Sequence, residues 1–207
     1  MARTLYPDCR QCRREGCKLF LKGERCTSKK CAMERRPVKP GQHGNSRKVT
    51  FTEYGTQLRE KQKIKRMYGI LERQMHGYYE EADRLKGKTG ENLLILIERR
   101  LDNVVYRMGI SSSRAQARQV VNHGLICVNG KCVDIPSYQV KKGDEISIKE
   151  NKTEKEPIKA LKGTKTVMPK WVEFNNDTLK GKVIALPTRE DIDAEINEQL
   201  VVELYSR

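Results

Sequence analysis

Five of the seven cysteines in this 207-residue chain fall between residues 9 and 31, as Cys9-x-x-Cys12, then Cys17, then Cys26 and Cys31. The segment that holds them has few other means of folding. Residues 1 to 45 offer Leu5, Leu19, Phe20, Leu21, Met33 and Val38 as apolar groups, too few to offset the entropy of ordering such a segment. A structural zinc ion wants four ligands in a tetrahedron; a Cys-x-x-Cys turn supplies two thiolates from one bend and a second pair closes the site. Cys9, Cys12, Cys26 and Cys31 meet that requirement, so one structural Zn2+ is expected to replace the missing core. Cys17 is left over and is able to replace one of the four. Disulfides or unrelated free thiols are the competing readings. Thiolates lower the local positive charge, so the metal's role here is structural and it is not what attracts an anion.

Around these cysteines lie Arg10, Arg13, Arg14, Lys22, Arg35 and Arg36, with Lys18, Arg25, Lys29 and Lys30 between them. The whole chain carries 42 Lys+Arg against 27 Asp+Glu, a net charge of +15, more than solubility requires. A polyanion is the expected partner, and such a density of cations suits phosphates. The charge is uneven: residues 1 to 45 hold 12 basic and 4 acidic side chains, whereas the tail from 182 holds 3 and 6. Apolar residues make up only 37% of the chain, so small cores are expected. The longest uninterrupted apolar run is Leu93 to Ile97, far below the roughly 20 residues of a spanning helix, which excludes a membrane partner of that kind. No apolar signal core precedes Cys9; export is not expected, and the cysteines are read as reduced thiols or metal ligands.

Pro37, Pro40, Gly41 and Gly44 break up residues 37 to 48, which reads as a linker exposing Gln42, His43, Arg47 and Lys48. A boundary is placed near residue 45. Apolar spacing predicts helices over Gln57 to Tyr68 and about Ile70 to Leu85. Arg59 and Lys63 stand at i, i+4, and with Lys61, Lys65 and Arg66 they give the first helix a dense positive surface near Tyr68.

From residue 92 to 181 the pattern changes. Leu93, Leu94, Ile97, Leu101, Val104, Val105 and Met108 recur at three and four residues ahead of Gly109, predicting one amphipathic helix with Arg99, Arg100 and Arg107 outside its main stripe. Ser113 then reads as an N-cap with Gln116 as capping-box partner, starting a second helix that ends before Gly124. Arg114, Arg118 and Asn122 follow at i+4 steps beside Gln119 and His123, a short polar and basic side. Leu125 to Val128, Asn129-Gly130 and Lys131 to Val133 form a hairpin signal, which makes Cys127 and Cys132 cross-strand neighbours, read as reduced packing residues. Alternation continues through Tyr138 to Val140 and Ile146 to Ile148. No carboxylate-and-nucleophile set accompanies His123, so catalysis is not expected.

Arg100-Leu-Asp-Asn-Val-Val-Tyr-Arg-Met-Gly109, Ser113-Arg-Ala-Gln-Ala-Arg-Gln119 through His123-Gly124, and Val128-Asn-Gly130 closely resemble the small-subunit ribosomal protein S-four family. So do Arg13-Arg-Glu-Gly16, Pro40-Gly-Gln-His-Gly44, Leu58-Arg-Glu-Lys-Gln62 and the ending Asn197-Glu-Gln-Leu-Val-Val-Glu-Leu-Tyr-Ser-Arg207. The resemblance implies an α+β chain: a basic zinc-binding segment over 1–45, a mainly helical domain over 46–91 and 182–207, and an inserted RNA-binding module over 92–181 with helices packed on a small antiparallel sheet. It implies a non-enzymatic, cytoplasmic, ribosome-bound protein with no small-molecule substrate. Such a protein binds small-subunit ribosomal RNA early in assembly, at a multi-helix junction in the 5′ domain, and contributes to accurate decoding. It further implies ribosomal protein S-five as a neighbour, Arg47 and Lys48 beside the messenger RNA entry channel, and Cys9, Cys12, Cys26 and Cys31 as the zinc ligands. The RNA contacts expected on these readings are Arg10, Arg13, Arg14, Lys22, Arg35, Arg36, Gln42, His43, Arg47, Lys48, Arg59, Lys61, Lys63, Arg66, Tyr68, Arg99, Arg100, Ser113, Arg114, Gln116, Arg118, Gln119, Asn122, His123 and Lys131. An RNA-modifying enzyme carrying the same module and a zinc-dependent DNA-binding regulator are the competing functions.

Overall fold

The computed structural model describes residues 6–45, 50–149, 168–192 and 195–207, so Arg47 and Lys48 lie outside the described residues. The chain forms two compact units, Met1–Leu93 with Ala194–Arg207, and Leu94–Asp193.

The first unit is helical. α1 (Asp8–Glu15), α2 (Glu24–Thr27) and α3 (Ala32–Arg35) are short; α4 (Glu53–Tyr68) and α5 (Glu72–Arg84) are longer. α4 begins four residues ahead of its apolar stripe because Thr52 caps it, its hydroxyl oxygen accepting from the Gly55 N–H at 3.2 Å. It ends where Gly69 turns left-handed at φ 63°. α6 (Thr89–Glu98) carries the chain on to the second unit, and a last helix, here α9 (Glu198–Tyr205), packs on α4 and α5. The wholly buried residue of α9 is Val201, with Leu200 and Val202 beside it only partly covered. Gln57, itself buried, donates to Glu203 at 3.1 Å. Tyr205 stacks on Tyr79 with centroids 4.9 Å apart and donates to Glu72 at 3.0 Å. Burial alone would raise the Glu72 carboxyl, but hydrogen bonds from Lys61, Lys65 and Tyr205 outweigh it and hold the group at about 2.

In the second unit α7 (Leu101–Arg107) packs against α8 (Arg114–Asn122). Five strands follow: β1 (Ile126–Val128), β2 (Lys131–Cys132), β3 (Glu145–Ile148), β4 (Val172–Asn175) and β5 (Lys180–Val183). They form one antiparallel sheet in the order β2-β1-β3-β5-β4. Leu101 and Val104 of α7, Met108 just after it, Ala117 and Val121 of α8, and Ile126, Ile146, Val172, Phe174 and Val183 of the sheet share one core with Trp171. Glu173 and Asn175 on β4 and Lys180 and Lys182 on β5 take the alternate, exposed positions.

The Asn129-Gly130 turn has φ of 50° and 78°, the two positive values a two-residue hairpin of this kind requires. Its Asn129 amide also ties the hairpin to the next turn, donating to Asp144 at 2.9 Å and accepting from the Glu145 N–H at 2.9 Å. The expected strand over 138–140 reduces to a single bridge, Gln139 to Arg100.

Two further features differ from the reading of the sequence. The single helix expected from Leu93 to Met108 is broken at Arg99 and Arg100. Arg100 is extended at φ −63°, ψ 137°, because the backbone there pairs with residues 136–140: Leu101 N–H donates to Tyr138 O at 2.9 Å and Val140 N–H to Arg99 O at 3.0 Å. The module also extends past residue 181, since Val183 on β5 pairs with Val172 on β4.

Gly181 is where β5 passes under the helices. A Cβ there would lie 2.5 Å from Glu173 O and 2.8 Å from the Phe174 ring, with the Met108 methyl at 3.2 Å. Gly181→Ala is expected to lower the stability of this unit by about 1–3 kcal/mol through overpacking, read as an earlier urea midpoint by fluorescence of Trp171, the chain's one tryptophan.

Candidate nucleic-acid interface

The cysteine segment is built on α1. Cys9 and Cys12 stand one turn apart on it, Cys26 lies in α2, and Cys31 immediately precedes α3. All four line one small cavity, closed by Leu21 and Met33. Cys12, Cys26 and Cys31 are buried, and the Lys22 N–H donates to Cys26 Sγ at 3.3 Å. Burial pushes the Cys12 thiol up; a hydrogen bond from Leu19 opposes it, and Cys26 and Cys9 add to the rise. A divalent cation there would reverse that balance by favouring thiolates, and four sulfur donors are the type that zinc takes. Among the described residues, however, no group of three or more His, Cys, Asp or Glu stands in a ligating arrangement. Cys17 does not line the cavity. Burial is the largest cause of its raised thiol, and its charged neighbours are Lys63, Glu15 and Glu60.

The cations of this unit divide into two groups. One is engaged internally. Glu15, whose side chain is 2% exposed, accepts from Arg59 at 3.3 Å and from Arg66. Burial raises the Glu15 carboxyl, and the guanidinium groups of Arg66, Arg59 and Arg14 pull it back. Arg13 donates to Val38 O at 2.7 Å, pinning the linker to α1. Lys61 reaches Glu72 at 2.7 Å, Lys63 donates to Glu195 O, and Lys22 lies 4.0 Å from Asp8. Tyr68 is buried at 4% exposure; this expected RNA contact is a core residue.

The other group faces solvent. Arg10 and Arg14, at i, i+4 on α1, are exposed and make no ion pair within the described residues. With Lys65, Arg66 and the exposed Tyr6 they line a cleft of about 550 Å3. Arg35, Arg36, Gln42 and His43 are exposed as well. The α1 spacing marks Arg10 and Arg14 in the sequence; nothing in the sequence marks Tyr6.

The second unit sorts its cations in the same way. Arg100 is wholly buried and holds Asp102 with two hydrogen bonds, at 3.0 and 2.7 Å, while Arg118 reaches the same carboxylate at 3.2 Å. These two expected contacts therefore do not stand on the surface: Asp102 draws both inward, and a buried carboxylate demands such pairing. Glu98, also buried, accepts from Arg107 at 2.7 Å and from Asn103, whose carbonyl oxygen takes Arg114 Nε at 2.8 Å. Arg114 in turn lies 4.5 Å over the Tyr106 ring. Arg99 donates to Val140 O at 3.0 Å.

Ser113 caps α8, accepting from the Gln116 N–H at 3.3 Å, and is buried by doing so. The Gln116 oxygen closes the cap on Ser112, taking its N–H at 3.0 Å and its hydroxyl at 2.8 Å. What remains exposed from the expected set is Gln119, Asn122, His123 and Lys131. Sequence reasoning misses a second cleft of about 880 Å3 lined by Lys170, Lys180 and Lys182 together with Glu145 and Glu173, because β4 and β5 themselves were not anticipated.

Asp102→Ala, which strands Arg100 inside the unit, is expected to cost about 3–5 kcal/mol of stability in urea unfolding. Gln119→Ala and Asn122→Ala, both at exposed positions, are expected to stay within about 0.5 kcal/mol of the parent.

Residues 3–98 match the ribosomal protein S4/S9 N-terminal domain and residues 99–146 match the S4 domain. Small ribosomal subunit protein uS4 of Caldicellulosiruptor bescii is 57% identical over 209 residues, covering 100% of both chains. The proteins of the same name from Desulforamulus reducens and Thermoanaerobacter pseudethanolicus are 56% and 57% identical over 209 and 207 residues, again with 100% of each chain covered. With two adjoining domain matches and similarity from end to end, the chain belongs to the family of small ribosomal subunit protein uS4.

Proposed function

We propose that this chain is a structural constituent of the small ribosomal subunit that binds small-subunit ribosomal RNA at a multi-helix junction in the 5′ domain, nucleates assembly and supports translational accuracy. As a member of a family of ribosomal structural proteins, it is not an enzyme. The observation that carries the RNA reading is the sorting of cations. Buried carboxylates engage the arginines that fix the helices, and Arg10, Arg14, Arg35 and Arg36 are left exposed, with no ion pair among the described residues. Phosphate is the ligand such groups suit. Its place is the cytoplasmic ribosome, a reading that rests on the family. No helix among the described residues is long and apolar enough to cross a membrane.

We also propose one structural Zn2+ on Cys9, Cys12, Cys26 and Cys31, supported by the cavity they share. Contacts with ribosomal protein S-five, and with messenger RNA through Arg47 and Lys48, complete the reading. Both rest on the resemblance of the whole chain to the family.

A filter-binding salt titration against junction RNA is expected to give a steep log-log dependence, each neutralised phosphate adding about one unit. Arg10→Ala with Arg14→Ala is expected to lower the slope by about two units. Affinity indifferent to salt, or a preference for duplex DNA, overturns the RNA reading. Metal analysis of the purified protein is expected to give one equivalent of zinc that is lost in Cys9→Ser; a full equivalent retained in that variant removes Cys9 from the ligand set in favour of Cys17.

A further inference from the structure

We propose that Cys127 and Cys132 form a reversible thiol–disulfide pair, an oxidation site on the hairpin that carries Lys131. The two residues are direct partners between β1 and β2, and the structure joins them as a disulfide. Their register makes this possible. With Asn129-Gly130 as the turn, Val128 and Lys131 flank it, and the next ladder bond runs from Val133 N–H to Ile126 O at 3.0 Å. Cys127 and Cys132 therefore occupy the intervening pair, whose two members make no backbone hydrogen bond to each other and whose side chains are brought closest.

Access divides the work between them. Cys132 is exposed on the edge strand β2, whereas Cys127 is 7% exposed on β1 beneath it. The Cys132 thiolate is thus the one that attacks an incoming low-molecular-weight disulfide, releasing one small thiol and leaving a mixed disulfide. The Cys127 thiolate then attacks the Cys132 sulfur and releases the second small thiol. Two protein thiols lose two electrons, the reagent disulfide gains them, and the two cysteine protons pass to the departing thiolates. Excess small thiol runs the exchange backward. In a reducing compartment such a bond is transient; when present it closes the hairpin across its narrowest pair. This differs from the reading of the two cysteines as reduced packing residues.

Trypsin offers a direct test on the full chain, since cleavage after Arg118, Lys131 and Lys141 leaves peptides 119–131 and 132–141, each with one of the two cysteines. After equilibration in oxidised glutathione and alkylation, the two peptides are expected to run as one species, two daltons lighter than their sum, which separates with excess dithiothreitol. In a glutathione redox series the joined form should rise and fall reversibly, with amide exchange slowed in the hairpin when it is present. Cys127→Ser is expected to leave Cys132 carrying glutathione. Separate peptides with both thiols alkylated under oxidising buffer, or glutathione on Cys132 in the unaltered protein with no joined species, would overturn the proposal. Mapping by peptide keeps oxidation of the five N-terminal cysteines out of the readout.

Discussion

A carboxylate placed among arginines is the interaction on which both units depend. Asp102 holds Arg100 and Arg118, Glu98 holds Arg107, and Glu15 holds Arg59 and Arg66. Each carboxylate is almost wholly enclosed, at 6%, 0% and 2% side-chain exposure, so none would be tolerated without its cationic partners. The effect on a chain of net charge +15 is to use part of its excess positive charge as internal fastening. In the first unit Glu15, at the end of α1, joins the cysteine segment to α4, where few apolar groups are available to do so. In the second, Asp102 and Glu98 fix the point where α6 gives way to α7.

That division decides which cations remain for RNA. Arg10 and Arg14 are exposed on α1 and make no ion pair among the described residues, whereas Arg13, between them in sequence, is turned back to the backbone of Val38. In α8 the same happens: Arg118 points inward to Asp102, and Gln119, Asn122 and His123 stay exposed. In each unit the polar and cationic side chains left exposed are thus backed by helices whose other arginines are fastened internally; side chains held in place in this way suit a ligand of fixed shape.

Signals carried by local chemistry were legible in the sequence. Ser113 as a cap, Asn129-Gly130 as a turn and Tyr68 as the last residue of a helix are set by near neighbours, and each is found in place. Interactions between residues far apart in the chain were not. The apolar stripe from Leu93 to Met108 reads as one helix because periodicity cannot register the backbone bonds from residues 136–140 that split it. Arg100 and Arg118 look like surface cations because i+4 spacing is blind to an aspartate two residues from one and sixteen from the other. β4 and β5 are short, and Lys180-Gly-Lys182-Val183 has one large apolar residue; the strand depends on Gly181 passing beneath Met108, a contact no local pattern announces. The four cysteines were grouped by spacing, and they do border a common cavity.

The placement of α9 has a consequence for how the chain is made. The unit Leu94–Asp193 is continuous in sequence, but the unit that begins at the N-terminus is finished only by residues 194–207, with Val201 in its core and Glu203 and Tyr205 bonded to Gln57 and Glu72. During synthesis the middle of the protein can close as soon as it emerges, while α4 and α5, made earlier, wait for the final helix to leave the exit tunnel. Until α9 is made, the side chains it covers on α4 and α5, Gln57 and Glu72 among them, lack the partners that complete the unit.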